Sequence, residues 1–142
     1  MDPLQALAKF MTIEHSLDPA VMRRTIDAYL ASWESADVEA RLACFTADAT
    51  LQDPAGAPTL RGHGEIRAFF EAVGALPQKS TPRFEWMVAS GTECIFQFVM
   101  RNAMDGGPVV EMTITEILSF ANDGKISRFK AFWNEGTTRV LA

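Results

Sequence analysis

The chain has 142 residues, 48% of them apolar and 22% charged, with a formal net charge of -5. That length suits one domain with one core, and the composition excludes a disordered chain. The acidic balance, without a Lys/Arg cluster or aromatics interleaved with basic residues, argues against a nucleic-acid partner. No apolar run approaches the roughly 20 residues that span a bilayer, and Met1 to Phe10 lack the basic start and apolar stretch of a signal peptide. A soluble cytoplasmic protein without a membrane partner is expected.

In chain order, Leu4, Leu7, Phe10 and Met11 fall at helical spacing and predict a short amphipathic helix within an N-terminal extension, residues 1–17. A single domain over 18–142 follows. Asp18 and Pro19 form a helix start, as N-cap and first helical residue. Val21/Met22, Thr25/Ile26, Tyr29/Leu30 and Trp33 then make one stripe. The helix ends at Ser35-Ala36-Asp37, and Asp37 caps a third helix carrying Val38, Leu42 and Phe45. Thr50–Asp53 reads as a strand stopped by Pro54 and Gly56. Ile66, Phe69, Phe70 and Val73 mark a further helix.

From Arg83 the period becomes two, with Phe84, Trp86 and Val88 on one face. Ser90-Gly91, Asp105-Gly106-Gly107 and Asn122-Asp123-Gly124 are turn signals between long strands. Helices first and antiparallel strands afterwards is the α+β pattern. Early helices with one apolar face each would cover a curved sheet and leave a ligand-sized cavity.

Three residues stand out chemically. Glu116 shares a strand face with Val110, Met112, Ile114, Leu118 and Phe120. A carboxyl there is pushed toward its neutral, proton-donating form, unless a twist or bulge lets it reach solvent or an arginine. Asp53 shares a face with Ala49 and Leu51 and precedes a proline. It is either a positioned base or the start of a turn. Tyr29, the only tyrosine, lies on an apolar helix stripe. Its phenol either serves the cavity or bonds to backbone. Cys44 and Cys94 read as buried thiols, and two Cys and two His without ligand spacing predict no metal site.

The order of these segments resembles the ketosteroid isomerases of the nuclear-transport-factor-2-like, or SnoaL-like, superfamily over about residues 20–135. Tyr29 to Asp37 looks like that family's first helix with its donor tyrosine. Phe45-Thr46-Ala47-Asp48-Ala49-Thr50-Leu51-Gln52-Asp53-Pro54-Ala55-Gly56 looks like the segment whose late Asp is the catalytic base. Glu116 to Phe120, followed by Asp123-Gly124-Lys125-Ile126, looks like the strand with the second oxyanion donor. Gly62 to Phe70 adds the superfamily's Gly-x-x-x-Ile-x-x-Phe helix start.

The resemblance implies an α+β cone whose helices pack on a strongly curved, mostly antiparallel sheet around an apolar pocket. It implies an isomerase that needs no cofactor and moves a double bond into conjugation in a 3-ketosteroid-like ketone. Asp53 would shuttle the proton, and Tyr29 and Glu116 would donate to the oxyanion. The family is the known example of a carboxylic acid kept neutral in an apolar site. Phe45, Phe70, Trp86, Phe96, Phe98, Met112, Leu118, Phe129 and Trp133 would supply apolar walls for a small apolar ligand.

Two departures are visible. Glu116 stands where the family has Asp, and Phe45 and Phe70 occupy places where some members carry supporting tyrosines. The alternatives are a polyketide cyclase, dehydratase or epoxide hydrolase of the same fold, or a non-catalytic binding module. An epoxide hydrolase would want an Asp-Arg-Asp arrangement, and a dehydratase would favour pocket histidines, for which His63 is the candidate. Ile95, Val99, Val109, Ile117, Ile126 and Phe132 are expected on the sheet face opposite the pocket, where they predict a homodimer.

Overall fold

The computed structural model describes residues 2–141. Helix α1 (Pro3–Ala8) is capped by Asp2 and ends well before Met11. Helix α2 (Pro19–Glu34) starts as the sequence dictates: the Asp18 carboxylate accepts from the Ala20 N–H, and Pro19 occupies the first turn. Met22, Ile26, Tyr29 and Leu30 form its buried stripe. Helix α3 (Val38–Leu42) is capped by Asp37. Phe45 does not continue it but opens strand β1 (Phe45–Gln52), which pairs with the short β2 (Leu60–Arg61). Helix α4 is Gly62–Gly74.

Four strands follow: β3 (Gln78–Ser90), β4 (Glu93–Met104), β5 (Val109–Phe120) and β6 (Ile126–Phe132). A 3₁₀ turn at Glu135–Thr137 then leads into β7 (Thr138–Leu141). Strands β3 to β6 are joined by the three glycine turns read from the sequence, and each of Gly91, Gly106 and Gly124 has φ between +62° and +85°.

The sheet is curved and unclosed, in the order β2-β1-β6-β5-β4-β3. β1 runs parallel to β6, and the pairs from β6 to β3 are antiparallel. β5 changes partner along its length. Thr115–Phe120 pairs with β6 and Val109–Met112 with β7. Helix α2 packs over β3 and α4 over β1, so the helices cover the concave face. The single core cluster lies between them and includes Phe45, Leu51, Phe70, Phe96, Leu118 and Phe129. This is the α+β cone expected from the sequence.

Two bulges reassign side chains to opposite faces. In β3, Phe84 lies opposite Phe98 but Trp86 opposite Gln97, so one extra residue, Glu85, is accommodated. Beyond it Met87 and Ala89 pack on the core, while Trp86 and Val88 are 41% and 60% exposed. In β6, Leu118 lies opposite Phe129 but Phe120 opposite Ile126. Ile126 is therefore in the core at 0% exposure, not on the outer face. Val99 is also buried, which leaves Trp86, Val88, Ile117 and Phe132 as the exposed apolar residues of the outer face.

Candidate active site

Tyr29, Asp53 and Glu116 line one cavity of about 350 Å³ between the helices and the concave sheet. Each arrives by a local rule. Tyr29 is three residues after Ile26 on the buried stripe of α2. Asp53 follows β1 and points inward like Ala49 and Leu51, both buried in that strand. The turn after it is tied down by the Ala55 N–H, which donates to the Ala131 carbonyl at 2.7 Å. Glu116 lies in the middle of β5, opposite Phe96 and Ala131, and is 1% exposed. No twist carries it to solvent. The remaining wall is mostly apolar, with Phe69, Phe98, Met112, Ile114 and Trp133 among its residues, and Gln78, Ser80 and Asn102 are its polar members.

Burial sets the electrostatics. It holds the Glu116 carboxyl well above the ordinary carboxylate range, and the nearby Asp53 charge raises it further. Glu116 Oε1 is buried with no hydrogen-bond partner among the described residues. Burial without a hydrogen-bond partner favours the protonated carboxyl over the carboxylate there. Burial raises Asp53 too, but the Trp133 indole N–H donates to its Oδ1 at 2.7 Å and draws it back down. Asp53 is thus the acid that ionises first. Burial also pushes the Tyr29 phenol well above its ordinary value, with Glu116 and Asp53 adding to it, so it stays an O–H donor. One cavity therefore holds two groups pushed toward their neutral forms, Tyr29 and Glu116, and one carboxyl held by Trp133, Asp53.

Residues 26–129 match the family model of the SnoaL-like domain. The chain belongs to the SnoaL-like family. The steroid Delta-isomerase of Nocardioides simplex is 30% identical over 117 residues, covering 82% of this chain and 93% of that protein. Two solved structures share the fold at lower identity. One is SalBIII, described as an epoxide hydrolase/cyclase-like enzyme with a role in pyran ring formation in the polyether salinomycin. It has a TM-score of 0.78 at 19% identity and covers 87% of this chain and 98% of its own. The other is RV0760c from Mycobacterium tuberculosis, solved in complex with estradiol-17β-hemisuccinate. It has a TM-score of 0.73 at 20% identity, with 84% and 98% covered.

In this SnoaL-like chain the expected wall residues divide. Phe98, Met112 and Trp133 line the cavity. Phe45, Phe70, Phe96, Leu118 and Phe129 are buried in the core cluster behind it. Trp86 lies outside, because the bulge at Glu85 turns it to the outer face. His63 does not line the cavity either; its Nε2 meets the Phe45 carbonyl at 3.1 Å. Sequence reasoning gave Trp133 an apolar role and missed its hydrogen bond, since Asp53 and Trp133 are 80 residues apart. It also missed Arg41, buried at 2% exposure. Its place on α3, one residue before Leu42, was the available signal. No helix of the described residues is long and apolar enough to cross a membrane.

Proposed function

We propose that the chain is a cofactor-independent isomerase that moves a double bond into conjugation with the carbonyl of a 3-ketosteroid-like apolar ketone. The observation that carries this reading is the shared cavity of Tyr29, Asp53 and Glu116 with a mostly apolar wall. The similarity to a steroid Delta-isomerase supports the substrate class.

The ketone oxygen sits against the Tyr29 and Glu116 donors. Asp53, ionised and aimed by Trp133, removes a proton from the carbon next to the carbonyl. The electron pair moves onto the ketone oxygen as a dienolate, where the two O–H groups stabilise the charge. The Asp53 carboxylic acid then returns the proton further along the conjugated system. Nothing is oxidised or reduced. The two carboxyl groups take different roles because Glu116 is enclosed without a partner while Asp53 has Trp133.

The test is the rise in conjugated-enone absorbance on mixing the protein with a β,γ-unsaturated 3-ketosteroid. Asp53→Asn keeps the shape but has no basic oxygen to take the proton. Its rate should fall by at least about 10²-fold, the lower range for a lost general base, while the steroid still binds. Equal rates for wild type and Asp53→Asn end this reading.

An acid and a base in one cavity would also serve acid–base ring closure, the class of reaction named for SalBIII. The Asp-Arg-Asp arrangement of the epoxide hydrolases is not formed here, because Arg41 does not line the cavity that holds Asp53. The outer sheet face, with Trp86, Ile117 and Phe132 exposed, supports a homodimer.

A further inference from the structure

Arg41 is the least expected residue of the interior. It is 2% exposed, yet it takes part in none of the four ion pairs among the described residues. Its Nε donates to Ser32 Oγ at 3.1 Å and its Nη2 to the Ser32 carbonyl at 3.0 Å. The guanidinium lies flat on the Trp33 indole, 3.4 Å from the ring centroid, with Phe70 at 4.9 Å. A buried cation outside any direct ion pair is costly, with Asp37 acting on it only from beyond salt-bridge distance, and an apolar side chain of similar size would fill the same space at least as stably. Packing alone does not account for an arginine here.

The other face of the arrangement explains it. Trp33 meets Tyr29 edge to face, with centroids 6.3 Å apart and planes at 88°. Trp33 also lines the cavity. Its Nε1 is buried beside the Tyr29 ring and has no hydrogen-bond acceptor among the described residues. Ser32, which holds Arg41, itself donates to the Tyr29 carbonyl at 2.5 Å. The residues that might otherwise support the phenol by hydrogen bonding, Phe45 and Phe70, have no polar atom to offer.

We propose that Trp33 and Arg41 are positioning residues that back Tyr29. The indole N–H donates to the phenol oxygen as the phenol donates to the ligand oxygen, and the guanidinium stacked on that indole places positive charge behind it. The inference deepens the isomerase reading and rests on Tyr29 as an oxyanion donor. The charges acting on the phenol come from three elements. Glu116 on β5 and Asp53 after β1 raise it, and Arg41 on α3 lowers it.

Tyr29 is the only tyrosine of the chain, so the alkaline absorbance change of tyrosinate reports on it alone. The experiment compares wild type, Arg41→Met, Arg41→Lys and Trp33→Phe. Trp33→Phe keeps a smaller ring under the guanidinium and removes the N–H. The Tyr29 midpoint should move up in Arg41→Met and in Trp33→Phe, and Arg41→Lys should stay nearer wild type. In parallel, binding of para-nitrophenolate, an oxyanion, is compared with that of the neutral para-nitroanisole. Arg41→Met should weaken the phenolate about tenfold, the equivalent of one pKa unit, and leave the neutral probe within about twofold.

An unchanged Tyr29 midpoint in both Arg41→Met and Trp33→Phe overturns the proposal. So does equal weakening of the two probes, which marks Arg41 as structural only. Should Arg41→Met not fold, Arg41→Gln, which removes the charge but keeps polar groups that can reach Ser32, takes its place beside Trp33→Phe. Unchanged phenolate binding in Tyr29→Phe would instead count against Tyr29 as the donor. The absorbance titration would still decide whether Trp33 and Arg41 act on this phenol.

Discussion

Asp53 and Glu116 are both raised by burial, but only Asp53 has a compensating donor. The Trp133 N–H therefore bears on the pH range of activity. With Asp53 as the proposed base, which must be ionised to work, activity should be lost as pH falls through the Asp53 midpoint, which lies above the ordinary Asp value. Trp133→Phe removes the one contact that lowers it. The acid limb of the pH–rate profile should move to higher pH, and a limb that stays in place would show that the bond does not tune the base. Glu116 has a signature in stability instead. Its folded-state value is raised, so the folded protein keeps a proton that the unfolded chain releases above about pH 4. That contribution is complete at low pH and is lost as pH rises toward the folded value, by about 1.4 kcal/mol per pH unit. Glu116→Gln keeps the size without the proton. Denaturant unfolding at several pH values should show a flatter decline for the variant; parallel curves would mean that Glu116 is not held neutral.

At the level of elements, α2 has to be set at the right depth over the sheet for Tyr29 to reach the cavity. The β5–β6 turn does this near the helix start. Thr25 Oγ1 donates to the Gly124 carbonyl at 2.7 Å. Gly124 has φ +85°, and a Cβ added to it would lie 2.6 Å from Val21 Cγ1. Alanine is disfavoured twice, by its backbone conformation and by the contact. Gly124→Ala should cost about 2 kcal/mol in an unfolding titration, the range of overpacking and strained backbone. A change below about 0.5 kcal/mol would show that the turn does not fix the helix. The bulge at Glu85 acts in the opposite sense, since it takes Trp86 off the cavity face and puts Met87 on the core.

For the whole molecule, the helices cover only one face of the sheet. Trp86, Val88, Ile117 and Phe132 are left exposed on the other, in adjacent cross-strand rows of β3 to β6. Burying such a patch in a second copy removes it from water at about 25 cal/mol per Å². Sedimentation at micromolar concentration should give twice 15.6 kDa, and Phe132→Glu should shift the chain to monomer. A wild-type species of 15.6 kDa would remove this reading.

Much of this was legible in the chain itself. The α+β order, the Asp18-Pro19 helix start, the three glycine turns and the inward-facing position of Glu116 follow from local periodicity and turn chemistry. Those rules act over a few residues and survive into the folded state. Spacing left Tyr29 and Asp53 open, and the family resemblance placed them at the site. Short strands without a strong period, β2 and β7, were not legible, because their pairing with β1 and β5 decides them. Nor were the bulges at Glu85 and in β6. A single inserted residue reverses the face of everything beyond it, and only the partner strand's register shows where it falls. The Trp133–Asp53 bond and the stack of Arg41 on Trp33 belong to the same class. They join residues from different elements, and their energies depend on a shared low-dielectric interior that exists only once helices and sheet have closed around it.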